Sequence, residues 1–202
     1  MTITLLRHGE VETAYQRCYN GHNDISLSPR GLAEAQRLGR YFQNHDFDAL
    51  YCSDLKRCKQ TATPIMQHSK LTKGKTPGCI IQNVNYTPQL REKSWGRHEG
   101  MTFDAIVREE GVQYVDFLQW INALDGEPYD AYIERIAAFF TRELPLTPYN
   151  NVLVVTHAGV IRVLMHLLRK ISLEEAFSVD FPYGAYTTLN TSAWEFGEIQ
   201  CV

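Results

Sequence analysis

The chain has 202 residues, an ordinary hydrophobic fraction of 44% and a formal net charge of −3. That length fits one large domain or a domain with a small cap, and that charge excludes the global basic field that would draw nucleic acid. No apolar run reaches the roughly 18 residues of a membrane span, and no basic segment before a long apolar stretch marks a signal peptide. Five cysteines, Cys18, Cys52, Cys58, Cys79 and Cys201, are odd in number and lack CxxC spacing. Reduced thiols in a cytoplasmic protein are therefore expected rather than a disulfide framework.

Taken in order, Thr2-Ile3-Thr4-Leu5-Leu6 is a β-branched and leucine-rich run that reads as a buried strand and stops at Arg7-His8-Gly9-Glu10. Val11 to Ser28 is polar and irregular, with Asn20-Gly21 as a turn signal, and loops of that length are often functional. Ser28-Pro29 opens a helix, with Ser as N-cap and Pro at the first position, and Leu32, Ala35, Leu38, Gly39 and Phe42 carry it to about Asn44. Phe47 to Cys52 is a second strand, and Leu55 to about His68 a second helix. A Lys/Thr/Gly/Pro loop from Leu71 to Gly78 precedes a third strand candidate, Cys79 to Val84. An irregular loop follows Pro88 and ends near Gly100.

Helices are then predicted over about Thr102–Glu110, Val112–Leu124 and Asp130–Leu144, the last with a buried stripe of Ile133, Ile136, Ala137 and Phe140. Asn151 to Thr156 is continuously apolar between its end residues, as a parallel strand covered on both faces should be. It ends at His157-Ala158-Gly159 and a helix runs on to Arg169. Tyr186–Leu189 and Ala193–Ile199 read as a closing strand pair around Asn190-Thr191. This alternation implies an α/β sandwich, with the helices between Thr102 and Leu124 placed to cap the sheet edge.

The strand ends hold the chemistry. The carboxyl ends of parallel strands converge on one crevice, which would bring together Arg7, His8, Arg57 (one turn into the helix after Cys52-Ser53) and His157. Arginine forks match two phosphate oxygens, and an imidazole nitrogen can attack phosphorus or hold a proton. The helix after His157 adds backbone N–H groups at its N-terminus, among them that of Gly159. Each feature alone is weak. An Arg-His pair at a strand end can be a surface pair, Arg57 a helix surface charge, and Glu92 a solvated loop carboxylate.

Four segments together resemble the histidine phosphatase superfamily, also called phosphoglycerate-mutase-like: Leu6-Arg7-His8-Gly9-Glu10; Ser53 to Ala62; Leu90-Arg91-Glu92 with Trp95-Gly96 and Glu99-Gly100; and Thr156 to Arg162. They occur in the family's order and span nearly the whole chain. The resemblance implies a three-layer α/β/α sandwich with a mostly parallel central sheet and a small helical cap. Residues 1–202 would form one domain, with the cap roughly within 93–126. It further implies that His8 is the nucleophile, that Arg7 and Arg57 clamp the phosphoryl oxygens, and that His157 donates to the same group. Glu92 would protonate the leaving oxygen and then activate water.

No metal or other cofactor is expected, because arginines supply the positive charge. The expected partner is a small phosphorylated metabolite, not nucleic acid or membrane; a homodimer is among the expectations. The family's Arg-His-Gly-Glu-Thr-x-x-Asn pattern is broken here by Val11 and Ala14, so Asn20 is assigned the role of the missing phosphate-contacting Asn. The Glu-Val-Glu run with Gly21, Asp24, Leu27 and Ser28 is similar to α-ribazole phosphatases, which act on α-ribazole 5′-phosphate in cobalamin assembly. The alternatives are a phosphoglycerate or phosphosugar mutase and a catalytically silent phosphate-binding domain. Of the remaining candidates, His22, His45, His68, His98 and His166 lack metal-ligand spacing and read as structural or exposed, Trp95 and Trp120 as packing, and Tyr183 and Tyr186 as core.

Overall fold

The apolar run at the N-terminus forms strand β1 (Thr2–Arg7) at the heart of a six-stranded sheet; β2 is Ala49–Ser53, β3 Val84–Thr87, β4 Asn151–Thr156, β5 Tyr186–Asn190 and β6 Glu195–Phe196. The computed structural model describes residues 1–68, 83–111 and 114–202. The strand order is β3-β2-β4-β1-β5-β6. The first four strands are mutually parallel, and β5 and β6 close the sheet antiparallel. In the β1–β4 pair Leu5 lies opposite Val154 and Arg7 opposite Thr156. That register makes His8 and His157 leave the sheet side by side.

Seven helices frame the described sheet: α1 (Pro29–Phe42), α2 (Lys56–His68), α3 (Phe103–Glu110), α4 (Phe117–Ala123), α5 (Tyr129–Ala138), α6 (Ala158–Arg169) and α7 (Leu173–Ser178). The two-residue period of the central strands sorts their side chains into two cores. Ile3, Leu5, Val152 and Val154 pack with Ile136, Phe140, Val160 and Leu164 from the α5–α6 side. Leu6, Leu153 and Val155 pack with Leu38, Phe42, Ala62 and Ile65 from α1 and α2. The result is the α/β/α arrangement of three layers.

Helix α1 begins where its caps place it. Ser28 Oγ accepts from the Gly31 N–H at 3.0 Å, and Pro29 occupies the first turn, where its missing N–H costs nothing. Its apolar stripe lies against α2 closely enough that a Cβ on Gly39 would sit 2.8 Å from the Pro64 carbonyl oxygen. Glycine at 39 sets that approach.

Several sequence expectations change. The long helix over Asp130–Leu144 is α-helical only to Ala138; a π-helical turn covers Phe139–Glu143 and a 3-10 turn Leu144–Leu146, where Pro145 cannot donate to a continued helix. Its buried stripe is Tyr129, Tyr132 and Ile136, with Ile133 only partly covered. The helix expected from Val112 starts at Phe117, because Asp116 Oδ1 caps the Gln119 N–H at 2.9 Å; residues 112–113 lie outside the described ones. So do the Leu71–Gly78 loop and most of the Cys79–Val84 strand; the strand described there runs Val84–Thr87. The closing strand Ala193–Ile199 shrinks to two residues. Helix α7 was not anticipated, although Ser172 and Glu175 form a capping box, a pattern legible as Ser-x-x-Glu.

Candidate active site

His8 and His157 emerge from adjacent strand ends with ring centroids 5.1 Å apart. Both are buried. The His8 Nδ1 lies 2.8 Å from the Gly9 carbonyl oxygen. A carbonyl can only accept, so Nδ1 carries the proton and Nε2 keeps its lone pair. Burial, followed by the charges of Arg57 and Arg7, holds the His8 pKa well below the ordinary histidine value, so the ring is neutral near pH 7. That is the protonation state and tautomer a nitrogen nucleophile requires.

Arg7 leaves the same strand end. Its guanidinium stacks on the Tyr183 ring, 3.9 Å from the centroid, and donates from Nη1 to the Phe181 carbonyl. Its Nε is buried without a partner among the described residues. A buried, unpaired guanidinium donor beside a neutral histidine suits an oxyanion.

Glu92 reaches the group from the loop after β3. Its carboxylate accepts from Tyr132 Oη and, at 3.2 Å, from the Lys93 N–H on Oε1, and from the Gly159 N–H on Oε2 at 3.0 Å. A Cβ on Gly159 would lie 2.1 Å from Glu92 Oε1, so only glycine admits the acid this close to the start of α6. The Glu92 loop is braced from behind. Arg135 Nη1 donates to the carbonyls of Gln89 and Arg91 at 2.7 and 3.1 Å, and its Nε and Nη2 pair with Glu127. Arg91 grips Asp54 through two 2.6 Å bonds. His22 Nε2 donates to the Glu92 carbonyl at 3.1 Å.

Beyond these groups opens a cavity of about 420 Å³ with a largely aromatic wall, including Tyr19, Trp95, Phe103, Trp120 and Phe177. His8, Arg7 and Glu92 line the same cavity. Trp120 is the hub of the wall: Nε1 donates to Tyr19 Oη at 2.7 Å, and the rings of Phe103 and Tyr114 meet it edge-on at 4.6 and 4.7 Å.

The model of the histidine phosphatase superfamily (branch 1) matches residues 3–200. The chain belongs to this superfamily. An adenosylcobalamin/alpha-ribazole phosphatase of Escherichia coli is 27% identical over 94% of this chain and 90% of its own length. A broad-specificity phosphatase of Saccharomyces cerevisiae is 30% identical over 83% of this chain and 70% of its own length. Phosphoglycerate mutases, such as one from Cytophaga hutchinsonii at 28% identity, are also relatives. Among solved structures, a putative alpha-ribazole-5′-P phosphatase from Escherichia coli superposes with a TM-score of 0.77 at 25% identity, covering all of this chain and 95% of that one.

In this histidine phosphatase Arg7, His8, Glu92, Asn20 and Gly159 line the cavity, and His157 packs edge-on against His8 behind that wall. Three of the expected residues, Arg57, Asn20 and Gly159, have donors engaged by the protein itself. Fully buried Arg57 donates from Nη2 to the carbonyls of Asn20 and Gly21, from Nη1 to that of Asn23, and from Nε to His157 Nδ1 at 3.3 Å. Four of its five N–H groups are thus engaged, so it is no open fork. Asn20, assigned the role of a phosphate contact, gives both amide hydrogens to the carbonyls of Tyr15 and Cys18. The Gly159 N–H serves Glu92, not a ligand.

The expected donor, His157, also differs in detail. Its Nδ1 accepts from Arg57, so Nε2 carries the proton, 2.9 Å from Ser53 Oγ. Burial and the neighbouring cations Arg57 and Arg7, together with His8, keep the His157 pKa well below its ordinary value.

Trp95 and Trp120 pack in the core as expected and also line the cavity; Tyr183, expected in the core, lines the cavity 5.6 Å from the His8 ring, while Tyr186 is core as expected. Sequence reading singles out none of Tyr132, Arg135 and Lys93, and it names Glu99 only within the family motif, without a role. Glu99 alone accepts from the N–H groups of Gly21, His22 and Trp95, tying both irregular loops together. No local pattern marks such residues, since their partners lie far away in the chain. His98 is structural, held between the Asp125 N–H and Glu110.

Proposed function

We propose that this histidine phosphatase is a metal-independent phosphomonoesterase that works through a phosphohistidine on His8. The proposed substrate is a small phosphorylated metabolite carrying a flat ring, with α-ribazole 5′-phosphate as the specific candidate. The observation that carries this reading is the single cavity that has His8 and Glu92 at one end and an aromatic wall around the rest. Aromatic faces favour stacked rings, whereas a phosphosugar or phosphoglycerate would gain little from them. The Escherichia coli relative's name, which couples adenosylcobalamin with alpha-ribazole phosphatase, supports the same candidate.

The proposed reaction has two steps. His8 Nε2 forms a bond to phosphorus as the bond from phosphorus to the ester oxygen breaks, and Glu92, carrying a proton, passes it to the departing alkoxide. Water then attacks phosphorus, giving a proton to Glu92 as the P–N bond breaks and phosphate leaves. Arg7, the remaining N–H of Arg57 and His157 would stabilise charge on the phosphoryl oxygens, which is where catalysis of phosphoryl transfer is mostly won. Residues 93–126 act in this reading as the cap that shapes the leaving-group end. Four free cysteines among the described residues accord with a reducing, cytoplasmic setting.

Initial rates of phosphate release with EDTA present test this, using α-ribazole 5′-phosphate, 3-phosphoglycerate, fructose bisphosphates and nitrophenyl phosphate. The expected result is a strong preference in kcat/KM for α-ribazole 5′-phosphate. Broad weak hydrolysis would keep the chemistry and discard the substrate; isomerisation of phosphoglycerate with little phosphate release would replace a phosphatase by a mutase.

A further inference from the structure

We propose that Tyr129 and Arg162 form a polar subsite in the aromatic cavity that recognises a hydroxyl oxygen of the leaving group. The proposal rests on the phosphatase reading above and deepens it from a ring-bearing leaving group to a ring-bearing glycosyl one.

The two residues stand out in a hydrogen-bond accounting of the cavity wall. Tyr129 is only 7% exposed, and its hydroxyl has no partner among the described residues. Buried hydroxyls are almost always paired, so an unpaired one on a residue that lines a cavity is a position a ligand oxygen can fill. Tyr129 lies near enough to Glu92 and Arg162 for both charges to act on its hydroxyl. Arg162 is anchored at one edge only: Nε and Nη2 donate to the Val179 carbonyl at 3.2 and 2.9 Å. Its Nη1 has no partner among the described residues. Phe177 lies beneath the guanidinium, 5.7 Å away, and its ring centroid is 6.1 Å from that of Tyr129. Both Tyr129 and Arg162 line the cavity that holds His8. The conformations that leave these donors unused are thus held by packing and by a backbone carbonyl, not by one another.

Position and chemistry narrow the ligand. Glu92 is the group assigned to the ester oxygen, so a subsite beside it reads atoms a few bonds further along the leaving group. Arginine only donates, whereas a tyrosine hydroxyl donates and accepts. A substrate hydroxyl fits both, accepting from Arg162 while donating to Tyr129. A carboxylate would leave the acceptor side of Tyr129 unused, and a hydrocarbon would leave both residues unpaired. With an aromatic wall around them, the combination describes a sugar hydroxyl attached to a ring system.

The test is the ratio of kcat/KM for α-ribazole 5′-phosphate to that for its 2′,3′-dideoxy analogue, measured in the wild type, in Tyr129→Phe and in Arg162→Gln. A site built to bond a hydroxyl discriminates strongly against the analogue that lacks it, here by about tenfold or more. The expected result is that preference in the wild type, carried mostly by KM, and its collapse to within about threefold of unity in both variants. Because each ratio is internal to one protein, a variant with less folded enzyme still reports it. A wild-type ratio near unity, or a ratio unchanged in Tyr129→Phe, overturns the subsite while leaving the phosphatase reading intact. A wild type that hydrolyses nitrophenyl phosphate but neither ribosyl substrate, or that prefers 3-phosphoglycerate, overturns the subsite and the substrate reading together.

Discussion

The two ends of the cavity are built in different ways. The phosphoryl end is made from the carboxyl ends of β1 and β4, whose six-residue parallel register places Arg7 beside Thr156 and hence His8 beside His157. Arg7 and His8 are tied to backbone carbonyls, and His157 is held between Arg57 and Ser53. The leaving-group end is assembled from pieces far apart in sequence: Tyr19 from the first loop, Trp95 from the second, Phe103 and Trp120 from α3 and α4, and Phe177 from α7. The first end draws its precision from a sheet, which admits no sliding without turning every side chain to the other face. The second is held by aromatic edges and a few polar ties, so it can be remodelled without touching the chemistry. Under the proposed function, reaction and specificity are therefore separable.

That contrast can be broken most severely at the phosphoryl end. His8→Ala should lower kcat by about 10⁴-fold or more, as loss of a nucleophile does elsewhere, with circular dichroism unchanged; substantial residual turnover would remove His8 from its role. Glu92→Gln comes next, with a loss of about 10²–10⁴-fold on alkyl phosphates but far less on nitrophenyl phosphate, whose leaving group needs little protonation. Equal losses on both substrates would mean that Glu92 is not the acid. Gly159→Ala should cost about 10²-fold in kcat, since a 1 Å displacement of a catalytic group suffices for that, and the new Cβ would meet Glu92 Oε1 at 2.1 Å. A crystal structure of that variant with Glu92 unmoved would contradict the packing argument.

At the other end the effects shrink. Trp120→Ala should raise KM for a ring-bearing substrate by about tenfold, the scale of a lost aromatic contact, with a smaller change in kcat. A larger fall in kcat than rise in KM would show that the wall also positions the reacting atoms, and would blur the separation.

The smallest effect is in pH. His8 and His157 have folded pKa values well below the ordinary 6.5, so the acid limb of kcat/KM should lie below pH 6.5. Linkage has the same sign: above 6.5 both states hold these rings neutral and their contribution to stability is constant. As pH falls below 6.5 the unfolded chain binds protons that the folded chain refuses, and stability declines toward the folded values. Thermal melts at pH 7.5 and 5.5 should show a lower Tm at the acid end; a higher one would mean that the buried histidines gain protons on folding.

Much of this was legible in the amino-acid order, and the physical reason is locality. A strand followed by Arg7-His8-Gly9 or by His157-Ala158-Gly159 announces itself within a few residues, because the hydrophobic run and the polar stop are adjacent in the chain. The same holds for the Ser28-Pro29 start of α1, and for the sorting of β1 and β4 into a covered centre. What only the tertiary structure decided is where each donor is spent. Arg57 reads as an open two-pronged clamp until the carbonyls of Asn20, Gly21 and Asn23 are found on three of its N–H groups, and only the folded chain shows Tyr15 and Cys18 taking both amide hydrogens of Asn20. Tyr132 and Arg135 are ordinary residues in sequence, and Glu99 belongs to a motif that does not tell its role. They organise the site only because folding brings remote N–H groups and carbonyls within 3 Å or so of them, and hydrogen bonds of that range leave no periodic trace in the chain.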